Sequence, residues 1–118
     1  MVKALVNSSW ELFDIDELQP GTSVFNFETG LYETIRTRDH KPILLTSHLD
    51  RLFNSAKSTD LKPPFHRKKV ESMIMHVIES SPEPDQRVRV LLVPYKVIIY
   101  NLRGYYLELF LNPCYLNL

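Results

Sequence analysis

A chain of 118 residues can bury one modest core, and a hydrophobic content of 44% is ordinary for a water-soluble domain. Fourteen basic and fourteen acidic side chains cancel, which argues against nucleic acid as a partner, and no apolar run reaches the roughly twenty residues that cross a membrane. The single cysteine, Cys114, rules out an intrachain disulfide and supplies too little for a structural metal site, so we expect one cytoplasmic domain over residues 1–118.

The chain begins with a short apolar run that predicts a first strand over residues 4–7, closed by turn-forming side chains. Apolar and acidic residues are then mixed up to the Pro-Gly turn at residues 19–21. We therefore expect an irregular segment that covers the core there. Trp10 is expected to anchor that segment by packing, because a large aromatic ring contributes buried area wherever it sits.

The clearest pattern lies between residues 30 and 57. Residues 31–38 alternate between two faces, with Leu31 and Ile35 on one and Tyr32 and Arg36 on the other, which predicts a strand. Residues 39–41 break this run and residues 43–45 resume it. The pattern therefore predicts a hairpin, whose second strand is weakened by a proline at residue 42.

A helix is expected to follow, with Thr46 or Ser47 capping its first turn. Its core-facing stripe has the spacing i, i+3, i+4 and i+7 and comprises Leu49, Leu52, Phe53 and Ala56. Its polar face comprises His48, Arg51 and Ser55. From the pattern alone, this polar face is expected to be a solvated helix surface.

The remainder predicts a second helix and a sheet. A proline-rich connection ends near residue 64, and the helix that follows from His66 repeats apolar residues at helical spacing: Val70, Met73, Ile74, Val77 and Ile78. Residues 87–93 predict a central strand, and residues 97–100 and 105–111 predict two more strands. The expected fold is α+β, a mostly antiparallel sheet with two helices.

Two motifs carry a family resemblance. The run G-L-Y-E-T-I-R at residues 30–36 and the run H-L-D-R-L-F-N-S-A-K at residues 48–57 resemble the N-terminal small domain of the class IV aminotransferases. These pyridoxal-phosphate enzymes of fold type IV include branched-chain aminotransferase, D-amino acid aminotransferase and aminodeoxychorismate lyase. The resemblance covers residues 22–58 and extends less closely to about residue 94. It implies amino-group transfer between amino acids and 2-oxo acids by a homodimer.

The resemblance also implies site residues. Arg51 is similar to the arginine that binds the phosphate of pyridoxal 5′-phosphate, and Tyr32 is similar to an aromatic residue of the substrate pocket. A half-buried sheet tyrosine would look the same as a pocket tyrosine. Glu33 and Glu28 are five residues apart across a glycine bend, so we interpret them as strand-edge charges rather than a catalytic pair.

The family's catalytic lysine, which holds the cofactor covalently, lies in a larger C-terminal domain that we expect to be absent here. None of the candidates matches its motif: Lys57, Lys62, Lys68, Lys69 and Lys96. We assign no catalytic residue and no metal. A charge-assisted hydrogen bond contributes roughly 1.5 to 3 kcal/mol, whereas millimolar binding needs about 4 kcal/mol. The chain alone is therefore expected to bind the cofactor weakly or not at all and to be inactive.

Two alternatives remain open from the sequence. One is a non-catalytic binding or interaction module that keeps the small-domain fold. The other is a lyase of the aminodeoxychorismate type, which uses the same cofactor contact. The chain is equally compatible with a fragment, half of a split enzyme and a stand-alone module.

Overall fold

The computed structural model describes residues 1–18 and 30–103. The strands are β1 Val2–Val6, β2 Ser9–Phe13, β3 Leu31–Arg38, β4 Lys41–Pro42, β5 Arg87–Val93 and β6 Lys96–Asn101. The helices are α1 Leu45–Ser58 and α2 Arg67–Glu79, with a short 3-10 helix at Ile15–Leu18. Neither α-helix in this described part of the chain is long and apolar enough to cross a membrane.

All six strands form one sheet in the order β2-β1-β6-β5-β3-β4, and every described pair of neighbours is antiparallel. The central strands are β5 and β6, where Val90 lies between Glu33 of β3 and Ile99 of β6. The α+β class, the antiparallel sheet, the two helices and the central strand at residues 87–93 are thus confirmed.

One face of the sheet packs against both helices. The apolar stripes predicted for them are largely buried: Leu49, Leu52 and Ala56 from α1, and Val70, Met73, Ile74, Val77 and Ile78 from α2. Phe53 is partly buried against the same cluster. A second buried cluster lies on the opposite face and includes Ala4, Leu91 and Tyr100. The core therefore lies on both sides of β5 and β6, where neighbouring side chains alternate between the faces.

The irregular segment expected after residue 8 is instead strand β2, so that prediction is wrong. Asn7 adopts a left-handed backbone (φ 55°), which reverses the chain tightly enough for Trp10 to pair with Leu5. An edge strand needs a partner on only one side and tolerates mixed side chains, which is why its pattern looked irregular. Trp10 packs against the core as expected, and its Nε1 donates a hydrogen bond to Nε2 of His76 at 3.2 Å.

The second hairpin strand predicted at residues 43–45 is also wrong. Asp39 and His40 both have positive φ, as a two-residue type I′ turn requires, so pairing resumes at β4 and stops at its proline. Leu44 has a left-handed backbone (φ 57°) and occupies the N-cap position of α1 without a side-chain cap. The cap predicted at Thr46 or Ser47 is therefore not formed, because the helix begins earlier, at Leu45.

The predicted turn at residues 19–21, Glu28, the strand at residues 105–111 and Cys114 lie outside the described residues. Within the described part, one buried polar side chain ties the elements together. Gln86 is 5% exposed, and its Nε2 donates to the carbonyls of Ile78 at 2.9 Å and Glu83 at 2.7 Å. Its Oε1 accepts from Nδ2 of Asn101 at 2.9 Å. The amide thus joins α2, the loop after it and β6.

Replacing Gln86 tests how much its side-chain amide contributes to the stability of the fold. We expect Gln86→Ala to lower the free energy of unfolding by about 2 kcal/mol or more, because buried groups lose their hydrogen-bond partner. Ser72→Ala, at an exposed position of α2 whose hydroxyl bonds only within the helix, should change it by less than about 0.5 kcal/mol. Urea denaturation measures both. Equal effects of the two substitutions would show that the amide network does not stabilise the fold.

Candidate functional site

A cluster of charged and polar side chains joins β3 to α1 and is centred on Glu33. This carboxylate shares the helix-facing side of β3 with Ile35, and its side chain is only 13% exposed. Oε1 lies 2.7 Å from Nδ1 of His48 and 2.8 Å from Nη2 of Arg51. Nε of Arg51 is 3.1 Å from both carboxylate oxygens. A strand carboxylate thus holds two basic side chains of α1, which lie one helical turn apart.

The contact with Glu33 indicates which ring nitrogen of His48 carries a hydrogen. An ionised carboxylate only accepts hydrogen bonds, so Nδ1 of His48 must carry the hydrogen that it donates to Glu33. The same nitrogen therefore cannot accept from Nη2 of Arg51, although the two atoms are 3.4 Å apart. The ring's Nε2 is the atom left for other interactions.

Arg51 is anchored at one edge and open at the other. Its Nε and Nη2 donate to Glu33, while Nη1 makes no hydrogen bond to any residue in the described ranges. Its side chain is 64% exposed. Pairing through Nε and Nη2 fixes the plane of the guanidinium and leaves the Nη1 donors for an external anion, a geometry suited to a carboxylate or phosphate. Ser55, the third residue of the predicted polar face, is half-buried, and its carbonyl accepts from Thr59.

Tyr32 lies on the other face of β3, since successive strand residues point in opposite directions. It is 46% exposed, and the guanidinium carbon of Arg89 lies 5.1 Å from the centre of its ring. Nη1 of Arg89 also donates to the hydroxyl of Tyr100 at 3.4 Å. The structure therefore groups Arg51 with His48 and Glu33 and places Tyr32 with Arg89. The two residues implied by the resemblance are carried by neighbouring elements, with Arg51 beside the helix-facing side of β3 and Tyr32 on its other face.

Sequence reasoning missed the role of Glu33, which it treated as a strand-edge charge. The signal was present, because the period of two places Glu33 on the same face as the core residue Ile35. A carboxylate turned toward a core needs a cation or several hydrogen-bond donors to offset its loss of hydration. A search for that cation would have led to the basic residues of the adjacent helix, His48 and Arg51.

Comparison with known protein families shows which class of protein has this fold and this cluster. Residues 30–103 match the family described as amino-transferase class IV, and the match includes β3, α1 and the whole Glu33 cluster. The chain belongs to this family, which confirms the resemblance drawn from its two motifs. No curated protein matches the chain by sequence.

Solved structures share the fold over most of the chain. A T.th. branched-chain amino acid aminotransferase, complexed with N-(5′-phosphopyridoxyl)-L-glutamate, is 19% identical, with a TM-score of 0.68 over 85% of this chain and 40% of its own. A branched-chain aminotransferase from Escherichia coli is 18% identical, with a TM-score of 0.64 over 85% and 40% of the two chains. A third, from Thermoproteus uzoniensis with norvaline, is 18% identical, with a TM-score of 0.66 over the same shares. This chain thus spans about two fifths of their length.

The Glu33–Arg51 pair should be energetically coupled beyond an ordinary surface pair. We expect a double-mutant cycle with Glu33→Gln and Arg51→Gln to give a coupling energy of about 1 kcal/mol, because the carboxylate is mostly buried and accepts several hydrogen bonds. The matched control is the Asp50–Arg67 pair, whose carboxylate is more exposed than that of Glu33, and we expect about 0.5 kcal/mol or less for it. Thermal or urea denaturation of each single and double variant measures the coupling. A smaller coupling for Glu33–Arg51 than for the control would contradict this assignment.

Proposed function

We propose that the chain forms the phosphate-binding half of a pyridoxal-phosphate-dependent aminotransferase site, with Arg51 holding the cofactor phosphate. The observation that carries this proposal is the guanidinium of Arg51, fixed by Glu33 through Nε and Nη2 and open at Nη1. It lies within the segment that matches the family. An arginine held in this way is already oriented before an oxyanion binds, so binding costs less side-chain entropy.

The local charges fit a phosphate. Glu33 would repel an anion if its oxygens faced the ligand, but its side chain is 13% exposed and both oxygens accept from Arg51. The exposed part of the cluster is therefore the guanidinium. His48 adds a second group beside it, whose Nε2 is not used by Glu33. The guanidinium thus presents donors rather than acceptors to an incoming phosphate.

The role of these residues is binding and orientation. When bound, pyridoxal phosphate supplies the electron-withdrawing group for amino-group transfer. Arg51 would fix the phosphate end, and Glu33 would keep Arg51 in place through its hydrogen bonds. Tyr32 would line the substrate side, where its half-exposed ring offers an apolar surface with a polar tip. The lyase alternative would use the same phosphate contact.

The wider assignment follows from the family and remains part of the proposal. The substrates would be amino acids and 2-oxo acids, and the complete site would need a second, larger domain that carries the catalytic lysine. The solved structures are consistent with a larger complete unit, because this chain covers only about 40% of their length. The complete enzyme would be a cytoplasmic homodimer.

Pyridoxamine 5′-phosphate tests the phosphate contact, since it has no aldehyde to react with surface lysines. We expect the chain to bind it with a dissociation constant in the millimolar range or weaker, because one arginine supplies only part of the roughly 4 kcal/mol that millimolar binding needs. Arg51→Gln should weaken binding about tenfold, the effect of losing a charge-assisted hydrogen bond. NMR titration of the backbone amides measures both affinities.

Two controls isolate the phosphate. Lys57→Gln removes a positive charge from the last turn of the same helix and should change the affinity less than about twofold, because solvent screens so distant a charge. Pyridoxamine without its phosphate should bind wild type and Arg51→Gln equally. An Arg51→Gln effect of the same size with pyridoxamine, or no Arg51→Gln effect with the phosphate, would refute the assignment of Arg51.

A further inference from the structure

The chain has four histidines, and three of them form a ring hydrogen bond within residues 1–18 and 30–103. Two of these rings are donors. Nδ1 of His48 contacts the carboxylate of Glu33, and Nε2 of His40 lies 2.8 Å from the carbonyl oxygen of Ser81. A carboxylate and a carbonyl only accept hydrogen bonds, so each of these nitrogens carries a hydrogen and keeps its bond when the ring gains a proton.

The third ring, that of His76, is an acceptor. Its Nε2 lies 3.2 Å from Nε1 of Trp10, and an indole N–H can only donate. Nε2 of His76 is therefore the nitrogen without a hydrogen, and the hydrogen of the neutral ring lies on Nδ1. A proton added to Nε2 would place two donors against each other. Among the histidine bonds of the described residues, this is the one that protonation removes.

The charges around this pair do not replace the lost bond. Nζ of Lys3 lies 4.6 Å from the centre of the Trp10 ring, and the ring centres of Trp10 and His76 are 5.5 Å apart, so protonation adds a second cation beside the indole. Glu79 lies three residues further along α2, but His76 forms no ion pair with any acidic side chain in the described ranges. Because His76 lies in the last turn of α2, the helix dipole favours a positive charge on it.

The indole has space to move. A cavity of about 470 Å³ lies between the β1–β2 hairpin and the C-terminal end of α2, and Lys3, Trp10 and Val77 border it. The other charged side chains at its border, Glu83 and Arg103, pair with each other at 2.8 Å. Trp10 is only partly buried against the core, and its strand β2 pairs with β1. The bond to His76 thus adds a polar contact that fixes the indole against α2.

We infer that the Trp10–His76 hydrogen bond is a pH-sensitive latch between the β1–β2 hairpin and α2. Neutral His76 accepts from the indole and holds the edge of the sheet against the helix. When Nε2 takes up a proton from solvent, the acceptor is lost and the indole turns away from α2 toward the cavity. Histidine is the side chain that ordinarily changes charge between about pH 5 and 8, so mild acidification opens the latch.

Tryptophan fluorescence tests the inference, because Trp10 is the single tryptophan of the 118-residue chain. On acidification from about pH 8 to about pH 5, we expect the emission maximum to move to longer wavelength as the released indole meets water. Quenching by neutral acrylamide, measured relative to free N-acetyltryptophanamide at each pH, should rise about twofold or more, since losing one hydrogen bond shifts an open–closed equilibrium roughly two- to tenfold.

Two variants assign the response to His76. His76→Gln keeps an acceptor oxygen at this position but cannot titrate, so its Trp10 emission and quenching should not depend on pH over the same range. The matched control is His66→Gln, which removes an exposed imidazole at the N-terminal end of the same helix and should keep the wild-type response. Circular dichroism at both pH values checks that each protein stays folded.

The inference is upheld by a Trp10 response that is lost in His76→Gln and kept in His66→Gln while the circular dichroism of the chain stays constant. It is overturned if the wild-type Trp10 signals do not change on acidification, or if the response persists in His76→Gln. A response that is also lost in His66→Gln, or that coincides with loss of the circular dichroism signal, overturns it too, because the change would then not be local to the latch.

Discussion

The candidate site depends on one carboxylate that a strand turns toward a helix. Glu33 faces α1 from β3, and its hydrogen bonds to His48 and Arg51 offset the hydration that it loses there. The packing of α1 on β3 sets the geometry of the cluster, and the hydrogen bonds of the cluster add a second contact between the two elements. The cationic group that we propose binds an anion is therefore positioned by the same contact that joins two elements of the fold.

The arginines on and beside β3 differ in how their charge is balanced. Arg51 is partly neutralised by Glu33 and gains orientation from it, whereas Arg36 and Arg87 have no described counter-charge and face each other across two strands. The first arrangement fixes the orientation of one guanidinium, whereas the second leaves two like charges facing each other on the sheet.

Local sequence patterns predicted the elements whose apolar side chains recur on one face against the core. They failed where contacts between residues distant in sequence determine the local structure. Ile74 and its neighbours on α2, and the central strand β5, follow directly from their periodicity. Strand β2 and the left-handed Leu44 depend on partners and turns that no short window encodes. The family resemblance pointed to Arg51, but the partnership with Glu33 needs the packing of α1, and the facing arginines need the register of β3 on β5.

The order of the strands has a consequence for how the chain folds. The first strand of the sequence lies beside the last described one, with Leu5 opposite Ile99, while β3 lies beside β5 rather than beside the strands that precede it in sequence, β1 and β2. Contacts between such distant segments raise the contact order and slow folding relative to helical proteins of this size. During synthesis, the edge of β1 that pairs with β6 stays unpaired until residues 98–100 have been made. Until then, the unpaired edge of that apolar strand is exposed and prone to aggregation.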